Sequence, residues 1–342
     1  MTTTPAELGY RWPAEWEPQA AVWLSWPRNP ATWPGKFEPV PAEYAIFAKA
    51  IADYEPVHIL AGGEVLAQAR SLVGNVKNIT LHDICTNDSW CRDHGPAFLT
   101  GQGLPPALVD WEYNAWGGKY PPFDLDNLVP SQIAEITGRC RFSPGIILEG
   151  GAIEPNGLGA ILTTESCLLN PNRNAGLNRE QVEQYLRDYL AAQKILWLTG
   201  GEVAGDDTDG HIDQLARFVN PSTVVCAVCD DASDENYAPT QQNLLELQNL
   251  RDQDDQPLAV ISLPLPAPLY YDGQRLPASY CNFLIVNHAV LVPQFGDTST
   301  DARACSILRE LFPHRIIRGL PSLDLIWGLG SFHCLSQQEG LA

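Results

Sequence analysis

The stretch GLGSFHCLSQQ, residues 328–338, decides how this chain is read. Glycines at 328 and 330 allow a close approach of backbone or ligand, and the turn they build leads straight into Cys334. A run of uncharged hydrogen-bonding side chains follows. The eight other cysteines lack such an approach. A cysteine taken alone is most often a small, weakly polar core filler. Three acidic clusters upstream change that reading: RDHGP at 92–96, LEGGA at 148–152 and DDTDGHID at 206–213.

Working outward, Glu149 closes the apolar run GIIL, which reads as a buried strand over 145–151. A carboxylate there must be paired, protonated or turned to a cleft. Asp93 follows Arg92 before a Gly-Pro turn, where a surface ion pair of little energy is the plain expectation. His211 and Asp213 are two apart in the strand-like HIDQLARFV (211–219), so both side chains should share one face. The same alternation directs His333 away from the face of Cys334 and makes His211 the better partner for the thiol.

Metal readings fail on spacing. With Gly210 at the sixth position of a calcium loop, Asp207 and Asp209 fit, but Gly205 and Ala216 stand where two ligands belong. Cys226 and Cys229 lie in an apolar strand without a second pair, and His82, Cys85, Cys91 and His94 match no zinc-finger spacing. No metal is expected.

The 342 residues suffice for a large core, and no linker, low-complexity tract or charge block divides them. Helices recur after pairs of strands, which predicts one α/β domain over 1–342 built from ββα-type units. Helices are expected over 42–54, 64–73, 129–136, 179–192, 243–251 and 300–312, the fourth opened by an Asn178/Gln181 capping box. Strands are expected at 20–26, 56–60, 78–83, 105–111, 145–151, 160–164, 167–170, 194–198, 211–219, 223–229, 258–266, 282–287, 289–295 and 314–319. With 41 acidic against 21 basic residues the net charge is −20, which disfavours nucleic acid and anionic membranes and draws small cations. An odd cysteine count and an N-terminus without a signal-like run point to free thiols in a reducing cytoplasm.

Nine ordered stretches resemble the agmatine deiminase and Porphyromonas-type peptidylarginine deiminase family of guanidine-modifying enzymes. They are PAEWEPQAAVWLSWP (13–27), TNDSWCRDHGPAF (86–98), DWEYNAWGGKYPP (110–122), LEGGAIE (148–154), ESCLLNPNRN (165–174), GDDTDGHIDQLARF (205–218), LPASYCNFLIVN (276–287), VPQFGD (292–297) and GLGSFHCLSQQ. The resemblance implies a pentein-type α/β propeller of pseudo-fivefold ββαβ units around a central site. It places the catalytic cysteine on Cys334, the histidine on His211, and guanidinium-binding acids on Asp93, Glu149 and Asp213. Two departures stand out: the approach to the cysteine is Gly-Leu-Gly-Ser-Phe where Gly-Gly-Asn-Ile is familiar, and Ala152 follows the glycines of the acidic motif.

The chemistry so implied needs no metal or organic cofactor. Carboxylates hold a flat cation over the thiol, Cys334 attacks the central carbon, and His211 first protonates departing ammonia and then activates water on a thiouronium intermediate. Agmatine, in putrescine biosynthesis, is the leading substrate, with Trp90, Trp116 and Asp207 as candidates to receive its far end. Peptidylarginine or free arginine is the alternative, the latter needing an arginine such as Arg92 or Arg173 to read a carboxylate. A non-catalytic guanidine or polyamine binder is the rival from another class. Relatives make a homodimer plausible.

Overall fold

Parallel neighbours in a sheet need a long crossover, usually a helix, whereas antiparallel neighbours need only a short turn. The chain uses that difference five times. The computed structural model describes residues 3–341 and contains five mixed sheets of one design, an antiparallel pair followed by a helical crossover to a third, parallel strand.

Ala97–Leu99, Ala107–Val109 and Cys140–Phe142 form one such unit, with the crossover helix Val129–Thr137. In the next, Ile153–Pro155, Ala160–Thr164 and Lys194–Leu198 are linked through the helix Arg179–Leu190. Ala216–Asn220, Thr223–Val228 and Ala259–Pro264 use the helix Tyr237–Asn249. Leu284–Val286, Ala289–Gln294 and Ile316–Pro321 use Thr298–Leu311. The fifth unit draws on both ends of the chain: Ser336–Gly340 lies antiparallel to Gln19–Ser25, which runs parallel to Val57–Leu60 and on to Ile79–His82. A small hairpin, Tyr270–Tyr271 with Gln274–Arg275, stands outside this series. The α/β fold of five repeated units agrees with the expectation, and no helix among the described residues is long and apolar enough to cross a membrane.

Local rules explain most elements. Asn178 and Gln181 form the expected reciprocal cap, and the helix they open buries Val182, Leu186 and Leu190. Three expected strands are something else, and so is the Cys334 segment to which strand alternation is applied. GIIL is not in a ladder, apart from a single parallel bridge of Ile147 to Glu112. Cys167 and Leu168 belong to the short helix Glu165–Leu168. HIDQL is a helical turn, Ile212–Leu215, and only from Ala216 does the chain extend. The segment before Cys334 is coiled, with Leu335 N–H donating to Ser331 O and Ser336 N–H to His333 O. Residues 211–215 and 330–336 are buried at every position, so burial there carries no periodicity that separates strand from turn.

Beneath these turns lies a buried ionic network. Arg217, fully buried, donates from Nε to Glu154 at 2.8 Å, from a terminal nitrogen to Glu15, and to the carbonyls of Cys281 and Phe283. Glu15 also meets His333 Nε2 at 3.1 Å and accepts from the Ile285 N–H. Burial pushes the Glu15 carboxyl up, but Arg217 and His333 outweigh it and hold the group down at about 2. Arg217→Met would leave two buried carboxylates without their shared cation. A loss of about 3–5 kcal/mol in chemical denaturation is expected, and a change below about 1 kcal/mol would show that the guanidinium does not hold this junction.

Candidate active site

Each of the five units sets a tight turn immediately before its first strand, and the turns close into a ring. Cys91–His94 precedes Ala97, Gly150–Ala152 precedes Ile153, Ile212–Leu215 precedes Ala216, Tyr280–Asn282 precedes Leu284, and the coiled segment holding Cys334 precedes Ser336. Cys91–His94 packs on Gly150–Ala152 and on Ser336–Gly340, while Ile212–Leu215 packs on Gly150–Ala152 and on Tyr280–Asn282. Asn282 joins the fourth turn to the segment holding Cys334, and the Arg92 N–H donates to the Cys334 carbonyl at 3.1 Å, which links that segment to the first turn. In this way Asp93, Glu149, His211 with Asp213, Asn282 and Cys334 are the contributions of five successive units.

The centre of the ring is crowded. A Cβ added to Gly151 would lie 2.6 Å from His211 Nδ1, 2.7 Å from Asp93 Oδ1 and 3.1 Å from Asp213 Oδ2, so only glycine fits among them. Asp213 Oδ2 is in turn 3.5 Å from Cys334 Sγ. Asp93 is buried and fixed from both sides, accepting from the Gly151 N–H at 2.9 Å and from Trp116 Nε1 at 3.0 Å, with His211 Nδ1 3.6 Å away. It is therefore no surface partner of Arg92, whose guanidinium turns the other way to Gln338 and the His333 carbonyl.

Glu149 is fully buried. One of its oxygens accepts from Arg173 Nε at 2.7 Å, and the other has no hydrogen-bond partner among the described residues. Arg173 continues to Asp209 and the Thr208 carbonyl. Neither Arg92 nor Arg173 is left to read a substrate carboxylate. The acidic loop is likewise largely committed: Asp206 accepts from Thr208 Oγ1 and the Gly210 N–H, and Asp209 from Lys119, Asn172 and Arg173. Asp207 instead faces the cavity beside Tyr120, whose hydroxyl donates to it.

Two participants escaped the sequence. Asn282 accepts on one side-chain oxygen from the N–H groups of Ser331, His333 and Cys334, at 3.1–3.2 Å, and its Nδ2 donates to Cys334 Sγ at 3.0 Å. It coils the chain around the thiol. Its only local signal is a lone amide in the apolar SYCNFLIV. His333, expected to face away, enters because the segment is a turn; its Nδ1 lies 2.7 Å from Asp213 Oδ2 and its Nε2 reaches Glu15.

Electrostatics follow from burial. Burial raises the Cys334 thiol well above its usual value, and the charges of Asp213 and Asp93 raise it further. Burial alone would lower His211, but Asp93 and the neighbouring Cys167 and Glu149 outweigh it, so the imidazole is held protonated far above the ordinary range. Burial lifts Asp93 to about 6, against the opposing pull of His211. Asp213 goes the other way: its burial is overcome by the bond to His333, which keeps it ionised.

Above the ring opens a cavity of about 640 Å³. Cys334 and Asp93 lie at its wall together with Trp90, Trp116, Tyr113, Trp327, Asp88, Asp126 and Asp207. Trp90 packs across Gly330, where a Cβ would fall 2.4 Å from the indole. The cavity is aromatic and acidic. One group of donors suits a cation other than an organic one: Glu149, Cys167 and His211 present ligand atoms within 4.8 Å of one another.

Fold and donor set together define a class: five-unit α/β proteins with a buried thiol, imidazole and carboxylates beneath a cation-attracting cavity. The chain belongs to the Porphyromonas-type peptidyl-arginine deiminase family, whose sequence profile matches residues 11–339. The agmatine deiminase of Stutzerimonas stutzeri is 40% identical over an alignment of 362 positions covering 99% of this chain and 98% of that protein. The structure of the agmatine deiminase of Enterococcus faecalis superposes with a TM-score of 0.94 at 34% identity, covering 99% and 98% of the two chains. A dimethylarginine dimethylaminohydrolase shares the fold alone, with a TM-score of 0.52 at 12% identity over 94% of this chain and 99% of that one.

The geometry sets the thiol's reactivity. Alkylation of Cys334 by a neutral reagent, followed by mass spectrometry, should rise with pH along a curve displaced above that of an ordinary thiol. Asp213→Asn should move the curve to lower pH by removing the nearest negative charge. A curve that Asp213→Asn leaves in place would show that the carboxylate does not act on the thiol.

Proposed function

We propose that the chain hydrolyses the guanidinium of agmatine to N-carbamoylputrescine and ammonia, a step in putrescine formation, with Cys334 as nucleophile. The convergence of Cys334, Asp213, Asp93 and His211 around Gly151, at the floor of an acidic aromatic cavity, carries this reading.

In this mechanism Asp93 and Asp213 accept bonds from the substrate's planar nitrogens and hold its carbon over the sulfur. The incoming cation lowers the energy of the thiolate that the two carboxylates otherwise oppose, so the nucleophile is generated when substrate is present. Attack of the Cys334 thiolate on the central carbon gives a tetrahedral adduct. His211 donates its proton to one terminal nitrogen, the C–N bond breaks and ammonia leaves, which produces an S-alkylthiouronium. The neutral imidazole then takes a proton from water as the hydroxyl adds to that carbon. The C–S bond breaks, the departing thiolate takes up the hydroxyl proton to restore the resting thiol, and the ureido product departs. Glu149, clamped by Arg173, adds its charge to that of Asp93 in keeping His211 cationic and does not touch the reacting carbon.

Agmatine is preferred to arginine because its far end is an ammonium. In this reading Asp207 receives the ammonium and Trp90 and Trp116 flank the carbon chain, which the presence of all three on the cavity wall supports. Arg28, the one arginine on the cavity wall, has Asp126 as its neighbour. Peptidylarginine remains the same-class alternative. Nine unpaired thiols support residence in a reducing cytoplasm, and the net charge of −20 argues against a nucleic-acid partner.

A colorimetric ureido assay over agmatine, arginine and an arginyl peptide tests the proposal. Agmatine should be turned over fastest and Cys334→Ala should abolish turnover while retaining guanidinium binding; wild-type rates in Cys334→Ala would remove it as nucleophile. Asp207→Asn should raise KM for agmatine by about fivefold, the effect of roughly 1 kcal/mol from a half-exposed charge pair, with kcat little changed. An unaltered KM would show that the ammonium lies elsewhere.

A further inference from the structure

Cys167 has no part in the chemistry above, yet it lies fully buried beside His211. The short helix Glu165–Leu168 carries it there. Thr164 caps that helix by accepting from the Cys167 N–H, and its hydroxyl donates to the Gly210 carbonyl at 2.7 Å, which locks the helix to the turn bearing His211. Sulfur, imidazole nitrogen and carboxylate oxygen from Cys167, His211 and Glu149 all fall within 4.8 Å of one another. Two further observations point to a ligand. Among the described residues, both ring nitrogens of His211 and Oε2 of Glu149 lack hydrogen-bond partners although both residues are 0% exposed. The remaining Glu149 oxygen is fixed by Arg173, the type of outer contact that orients a metal-binding carboxylate.

We propose that Glu149, Cys167 and His211 form a binding site for a thiophilic divalent cation, best matched by zinc, and that the bound ion silences the enzyme by occupying His211. One thiolate, one imidazole and one carboxylate are all zinc donors, and three protein ligands leave the fourth tetrahedral position open. Zinc bonds of about 2.0–2.3 Å place neighbouring donors about 3–4 Å apart, so side-chain shifts on the order of 1 Å close the site. Binding displaces one proton from the Cys167 thiol and one from the His211 imidazolium to solvent, and the dication's charge is then met by one thiolate and one carboxylate. Its route is the acidic cavity, whose wall residue Asp93 stands 3.6 Å from His211. The CxxC pair Cys226 and Cys229 plays no role.

Cobalt(II) serves as the probe, since a cobalt–thiolate bond absorbs in the near ultraviolet and imidazole or carboxylate bonds do not. The parent protein carries Cys334→Ala, and serine at Cys85, Cys140 and Cys305, the thiols outside the fully buried set. One equivalent of cobalt should produce the thiolate band in this parent. Adding Cys167→Ser should abolish the band and weaken zinc binding, read by competition with a chromophoric chelator, by about tenfold or more. Loss of the band in the parent, or its persistence after Cys167→Ser, would overturn the site. X-ray absorption of the zinc-loaded parent needs no change at Cys167 and should show one sulfur among nitrogen and oxygen donors; a shell with no sulfur, or with two, would also overturn it. These measurements use no substrate, so their failure is distinct from failure of the deiminase reading. Zinc at a filling concentration should also suppress wild-type turnover until a chelator is added, and a zinc-filled enzyme that turns over normally would refute the inhibitory role.

Discussion

Everything in the site depends on one buried guanidinium. Arg217 rises from the strand Ala216–Asn220 and binds Glu154 of the neighbouring unit, Glu15 of the N-terminal segment and two carbonyls beside Asn282. Glu15 then reaches His333, and His333 reaches Asp213. A charge of this kind is expensive to bury and tolerable only when every arm is occupied. Since its partners come from separate units, satisfying Arg217 and seating the ring of turns are one event.

That arrangement lets the ring carry atoms that a stable core would not keep. Oxygens of Glu149 and Asp213 and both nitrogens of His211 lie buried without partners, and Asp93 is held near the point of losing its charge. The cost is local and the support is distributed. Contacts that come from other units, such as the Asn282 clamp and the packing of Trp90 on Gly330, hold Cys334 where burial and the carboxylates of Asp213 and Asp93 raise its thiol.

Much of this was legible in residue order. The clusters at 92–96, 148–152 and 206–213 and the approach to Cys334 are short, local signals, and the resemblance joined them into a family over nearly the whole chain. The capping box at Asn178 and the crossover helices were also readable, because helix periodicity and caps are local properties. What misled was the reading of strands. GIIL reads as one because it is an apolar run, and alternation applied to HIDQL and the Cys334 segment places His333 on the wrong side, because 211–215 and 330–336 are buried at every position and show no period. Asn282 gave no signal of its own, since an amide in an apolar run reads as a loop residue until its four partners are seen.

The amino-acid order by itself determined which chemical groups are present and that they belong to repeated units of one α/β design, five in number by the resemblance: a sulfur, an imidazole, acids at turns, and the excess negative charge that draws a cation. Tertiary structure decided which of those groups face one another. Asp213 and Cys334 are 121 residues apart, and Glu15 and Ile285 are 270 apart. Contacts over such separations exist only once the ring has closed, and burial, hydrogen bonding and proton affinity depend on those contacts. For that reason Arg173 became the clamp of Glu149 and His333 the anchor of Asp213, although neither role can be read from the neighbours each has along the chain.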